Sequence, residues 1–163
     1  MKNLSEHFTT VCICRLLDGP VLARYDGTNY ELPDSGAEIA DLTWKPDSDC
    51  RFRVQANLTP GTTQVESIRI TMRLDTVVIE LSSNFIVNYI LPNLGAESAA
   101  DASYSKVIQG DLEVKRNGNY VVVTDTVCGH SVGWDDDNPN TRAVMAVNKA
   151  FGSYLIGLCD GCY

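Results

Sequence analysis

The sequence predicts an α+β fold: an antiparallel β-sheet with an N-terminal hairpin at one end and a single C-terminal amphipathic helix at the other. Three observations point there. Apolar and polar residues alternate without a break over 51–59 and again over 67–74, the period-two mark of strands with one buried face. Asn117-Gly118 divides a further pair of strand-like runs at 112–123, as a two-residue hairpin turn does. Val144, Val147, Phe151, Leu155 and Leu158 fall on one helical stripe behind Pro139, with Asn140 or Thr141 as the cap.

Taken in order, residues 8–24 read as a hairpin, because an apolar run meets Asp18-Gly19-Pro20 and then Val21-Leu22-Ala23. Residues 26–36, rich in Gly, Asn, Pro and Asp, form loop with one short edge strand, and Ile39, Leu42 and Trp44 open the next strand. The two alternating strands follow, joined by Pro60-Gly61-Thr62-Thr63. Residues 76–91 are apolar without a clean period, and their Val and Ile content favours strands. Residues 92–105 read as a mobile loop and 129–140 as an acidic loop. The helix spans 140–158, weakened by Gly152 and Gly157. This is one domain over 1–163: hairpin to 24, antiparallel sheet with insertions over 37–127, then the helix.

A chain of 163 residues with 44% hydrophobic content sustains a single core. No run reaches the roughly 18 apolar residues of a membrane span. The start, Met1 to His7, is polar, and Arg15 and Asp18 break the apolar run behind it, which is not the pattern of a secretory signal. A cytoplasmic folding environment is therefore expected, and with it six cysteines that are not paired within the chain. Cys12-x-Cys14 and Cys159-x-x-Cys162 have zinc-ligand spacing, but no histidine stands near either pair, and buried thiols account for them equally.

Catalytic signatures are absent. There is no Gly-rich phosphate loop, nucleophile elbow or His-Glu-x-x-His. Cys128-Gly129-His130 puts a thiol beside a base, yet catalytic partners usually meet through the fold and not the sequence. Asp135-Asp136-Asp137-Asn138 has the charge of a calcium loop, but Pro139 and Asn140 occupy positions that the EF-hand pattern gives to a ligand and Gly. Cys159-Asp160-Gly161-Cys162 has redox spacing without a following helix to lower a thiol pKa.

What remains is the polar face of the two alternating strands. Net charge is −8, yet 51–73 holds four arginines and one acid, Glu66. Arg51, Arg53, Gln55, Asn57 and Thr59 share that face with Ser67, Arg69, Thr71 and Arg73, and every one of them donates hydrogen bonds. Such a face is either the solvated side of an antiparallel sheet or a surface suited to phosphates and unpaired bases.

The order of these elements, centred on 37–44 with Trp44 and on 52–74, resembles the coat proteins of small single-stranded RNA bacteriophages. The resemblance implies a homodimer with one continuous sheet, helices crossing onto the partner subunit, and dimers closing into an icosahedral shell around single-stranded RNA. It places an RNA pocket at Gln55, Asn57, Arg69 and Thr71, with Arg53 beside them on a phosphate, and Arg73 on the same polar face is a further RNA-contact candidate. A lysine of the family's pocket is Thr71 here, and Arg69 two residues earlier carries the charge. The partners implied are further copies of the chain and RNA, with no membrane, cofactor, metal or catalytic residue; the location implied is the virion, assembled in the host bacterial cytoplasm. Cys128, Cys159 and Cys162, beside flexible glycines, are then the thiols expected to cross-link subunits. Two other classes stay open: a monomeric β-sandwich module binding a carbohydrate or host protein, and a thiol enzyme using Cys128 or Cys159.

Overall fold

Strand-forming residues recur along the chain at short intervals, and among the residues described by the computed structural model (11–17, 20–32, 39–46, 50–59, 65–135, 137–138, 141–150 and 155–162) they form fourteen strands. In chain order these are β1 (Val11–Leu17), β2 (Val21–Ala23), β3 (Asn29–Glu31), β4 (Ile39–Lys45), β5 (Phe52–Leu58), β6 (Val65–Met72) and β7 (Val77–Ser82). They continue as β8 (Ile86–Leu91), β9 (Gly95–Ser98), β10 (Ser105–Ile108), β11 (Leu112–Asn117), β12 (Tyr120–Asp125), β13 (His130–Trp134) and β14 (Ala143–Asn148). Every pairing is antiparallel. One sheet has eight strands in the order β10-β11-β12-β13-β14-β1-β2-β3, and the other six in the order β4-β5-β6-β7-β8-β9.

Period-two burial explains why the sheets stack. Phe52, Val54 and Ala56 of β5, Ile68, Ile70 and Met72 of β6, and Ile79 and Leu81 of β7 point to one side. They meet Cys14 and Leu16 of β1, Val121 and Val123 of β12, Val132 and Trp134 of β13, and Met145 and Val147 of β14 in one cluster. Each fully buried aliphatic side chain contributes roughly 1.5–3 kcal/mol, so this shared layer is the main reason the two sheets stay face to face.

The fold class therefore differs from the α+β expectation: the described chain is all-β, and no α-helix forms in it. Of the segment expected to be helical, Ala143–Asn148 is β14, which lies inside the eight-stranded sheet and pairs with both β1 and β13. Ala143-Val144-Met145-Ala146-Val147 is apolar at every position, so it satisfies a helical stripe and a strand equally. Two neighbouring strands with open backbone groups decide for the strand. Ala143, Met145 and Val147 go inward, and Val144 turns to the outer face. Leu155 is buried, and Leu158 is partly buried against the core. From 156 to 159 the backbone lies along β4: Trp44 and Ile156 exchange hydrogen bonds at 2.8 Å, and Cys159 N–H donates to Leu42 C=O at 2.7 Å. Gly157 makes this approach feasible, since a Cβ there would sit 2.9 Å from the Leu42 oxygen.

Three smaller expectations change. The stretch expected to be a mobile loop contains β9 and leads into β10, and the acidic loop contains β13, whose His130, Val132, Gly133 and Trp134 are buried. The β11–β12 turn is Gly118-Asn119, one residue later than Asn117-Gly118, because Asn117 pairs with Tyr120. Gly118 then supplies the positive φ, +61°, at the first central position. The β1–β2 hairpin and the β5–β6 pair form as the sequence indicates. His7, the turn residues Asp18 and Gly19, Ala37 and Glu38, the 60–63 loop, Asp136, Pro139, Asn140, Phe151 and Gly152 lie outside the described residues.

All six cysteines are paired within the chain: Cys12–Cys162, Cys14–Cys159 and Cys50–Cys128. This corrects the expectation of unpaired thiols and of Cys128, Cys159 and Cys162 at subunit contacts. The i, i+2 spacing puts the Cys12 and Cys14 sulfurs on the inner face of β1, where the chain returning along β4 delivers Cys159 and Cys162. Cys50 and Cys128 tie the start of β5 to the β12–β13 turn, one sheet to the other.

Candidate binding site

The outer face of the six-stranded sheet carries most of the residues singled out from the sequence. Register sets Arg53 opposite Thr71, Gln55 opposite Arg69 and Asn57 opposite Ser67, so Arg53, Gln55, Asn57, Arg69 and Thr71 share one partly exposed face. Their surroundings could not be read from β5 and β6 alone. β4 brings Asp41, whose carboxylate accepts both Arg53 Nε and Nη2 at 2.8 Å. β7 brings Glu80, 3.0 Å from Arg69 Nη2. Arg51 lies 3.3 Å from Asp75, and Asn57 Nδ2 donates to Ser67 Oγ at 2.8 Å. The guanidinium of Arg53 holds the Asp41 carboxyl below its ordinary pKa, chiefly through that hydrogen-bonded pair. Each basic group on this face thus has its own carboxylate.

Arg73 leaves the face. It opens the β6–β7 turn, where Arg73, Leu74 and Asp75 all have positive φ, and its guanidinium reaches across to Asp111 (2.7 Å) and Asp125 (3.0 Å) of the other sheet. Left-handed backbone costs a non-glycine residue roughly 1–2 kcal/mol, and the two ion pairs and the Thr76 N–H to Arg73 C=O bond offset that cost.

A β-bulge at Leu42 shapes the candidate site. Pairing runs from Asp41 opposite Gln55 directly to Thr43 opposite Val54, so one extra residue is accommodated and the strand's facing inverts. Asp41 and Trp44, three apart in sequence, consequently both flank Arg53: one by ion pair, the other with the guanidinium 4.6 Å above its ring centroid. Trp44, Arg51, Arg53, Gln55, Thr71 and Asp75 line a cavity of about 270 Å³, together with Pro46 and Phe52. Asp75 gave no signal in the sequence. Trp44 was legible as a strand residue, but the bulge that turns it toward Arg53 was not.

Cys128 and His130, considered as a nucleophile and base, do lie close together, but the sulfur is bonded to Cys50. His130 is 2% exposed, its Nε2 is 3.2 Å from the Cys50 carbonyl oxygen, and its ring lies 4.3 Å from that of Phe52. Burial holds its pKa below the ordinary histidine value. Cys159 is bonded to Cys14, so neither thiol of the enzyme reading is free in this state. Among the described residues no helix is long and apolar enough to cross a membrane. No family model matches the sequence, and no characterised protein matches it significantly.

Proposed function

We propose that this chain is a disulfide-stapled β-sandwich binding module, working in an oxidising environment, that holds a sugar ring in the Trp44 cavity. The observation that carries it is the composition of that cavity: an indole beside planar or fixed polar groups, with each of its cations already neutralised. An uncharged polyol satisfies such a site. Its C–H face packs on the aromatic ring, and its hydroxyls meet the Gln55 amide, the Thr71 hydroxyl and the two ion pairs, each of which can donate and accept. A phosphate is a poorer occupant, because it would lie beside Asp41, Asp75 or Glu80 or have to draw an arginine away from one of them. Three disulfides across both sheets support an oxidising location over the bacterial cytoplasm.

The coat-protein reading keeps the β5–β6 pair as its support, while the terminal helix that would cross onto a partner is strand β14. Titration of the isotopically labelled chain with a panel of mono- and oligosaccharides tests the sugar site. At least one sugar should shift the Trp44 indole resonance, and Trp44→Ala or Gln55→Ala should weaken binding at least tenfold. If no sugar shifts it, the ligand assignment fails. A megadalton particle containing RNA on size-exclusion chromatography would restore the shell reading.

A further inference from the structure

The Cys50–Cys128 bridge has a third group beside it. The sulfurs of Cys50 and Cys128 and a ring nitrogen of His130 all lie within 4.8 Å of one another, and this is the one such cluster of three among the described residues. Tetrahedral zinc, with Zn–S of about 2.3 Å and Zn–N of about 2.0–2.1 Å, spaces its ligand atoms by roughly 3.5–3.8 Å. Opening the disulfide and drawing in the imidazole by about an ångström would reach that geometry through side-chain rotation. The histidine is already oriented: Phe52 packs on its ring, and Nε2 is within hydrogen-bond distance of the Cys50 carbonyl.

We propose that reduction of the Cys50–Cys128 disulfide turns this corner into a zinc site, in which two thiolates and His130 hold one Zn²⁺ and keep the two sheets tied. A dithiol reductant takes up the disulfide, giving two protein thiols and its own cyclic disulfide. Each thiol then releases one proton to solvent as it binds the metal. Charge favours the exchange in a buried place. A disulfide is neutral, and so is Zn²⁺ with two thiolates, so the nearby Lys45 and Asp125 experience no net change. Three protein ligands leave a fourth position for water. The other four cysteines pair as Cys12–Cys162 and Cys14–Cys159, and among the described residues the Cys50–Cys128 corner alone brings a histidine to its sulfurs.

Cobalt(II) and zinc titrations of the full chain test it, with a phosphine as reductant to avoid competing thiols. The reduced chain should take up one more equivalent of Co²⁺ than Cys50→Ser/Cys128→Ser, with stronger thiolate-to-cobalt charge-transfer absorption than that variant and two protons released for the additional equivalent of zinc. Removing a group that merely hydrogen-bonds a metal's ligand costs about 10–100-fold in affinity, so losing a ligand itself in His130→Ala should cost at least about 100-fold. The oxidised chain should show no band. Equal uptake by the reduced wild type and Cys50→Ser/Cys128→Ser would overturn the site, as would unchanged affinity in both His130→Ala and His130→Gln. Circular dichroism of the oxidised variants separates ligand loss from failure to fold.

Discussion

Cys12–Cys162 and Cys14–Cys159 close loops of 150 and 145 residues, but they close almost the same loop. Chain entropy assigns a single bridge of either span about 5 kcal/mol. Once one is formed, the second closes only a small ring, about seven residues through 12–14 and 159–162, which is worth about 2 kcal/mol. Removing either pair alone (Cys12→Ala/Cys162→Ala, or Cys14→Ala/Cys159→Ala) should therefore cost about 2 kcal/mol. Removing both should cost about 7, since the large loop is then free. Denaturant unfolding under oxidising conditions, followed through the buried Trp134, measures all four corners of this cycle. The excess of about 3 kcal/mol over additivity is the diagnostic quantity, because cavity costs at the individual sites largely cancel from it. Additive losses, or a loss of about 5 kcal/mol from either pair alone, would refute the nested-loop reasoning.

Three further outcomes are expected. Arg73→Met leaves the Asp125 carboxylate, 4% exposed, without its cation and should cost about 3–5 kcal/mol by denaturant unfolding; a loss below 1 kcal/mol would mean the inter-sheet ion pair is not held. Gly157→Ala combines φ +111° with a Cβ 2.9 Å from Leu42 oxygen, so a loss of about 3 kcal/mol and a lower melting temperature are expected, whereas an unchanged melting temperature would contradict the close approach to β4. Burial raises the pKa of Tyr25 and Tyr89 above that of an unfolded tyrosine, so their contribution is complete below about pH 10 and is lost as the unfolded chain ionises above it. Absorbance at alkaline pH should show fewer than seven tyrosines titrating until the chain unfolds, and all seven titrating in the folded chain would contradict this.

Local pattern alone specifies the strands whose two faces differ in polarity. β5 and β6 declare their pairing because Phe52, Val54 and Ala56 alternate with Arg53, Gln55 and Asn57, and a one-residue slip would bury the arginines. Register then followed, and with it the shared face of Arg53, Gln55, Asn57, Arg69 and Thr71. Tertiary structure decided wherever local pattern is degenerate or a partner comes from afar. Uniformly apolar 143–147 fits helix and strand alike, and only β1 and β13 on either side make it β14. The cysteine pairs join positions up to 150 residues apart, a distance that spacing does not encode. The neutralisation of the polar face is hidden from the sequence for the same reason. Its arginines are local to β5 and β6, whereas Asp41 and Glu80, which neutralise them, arrive on β4 and β7 only when the sheet assembles.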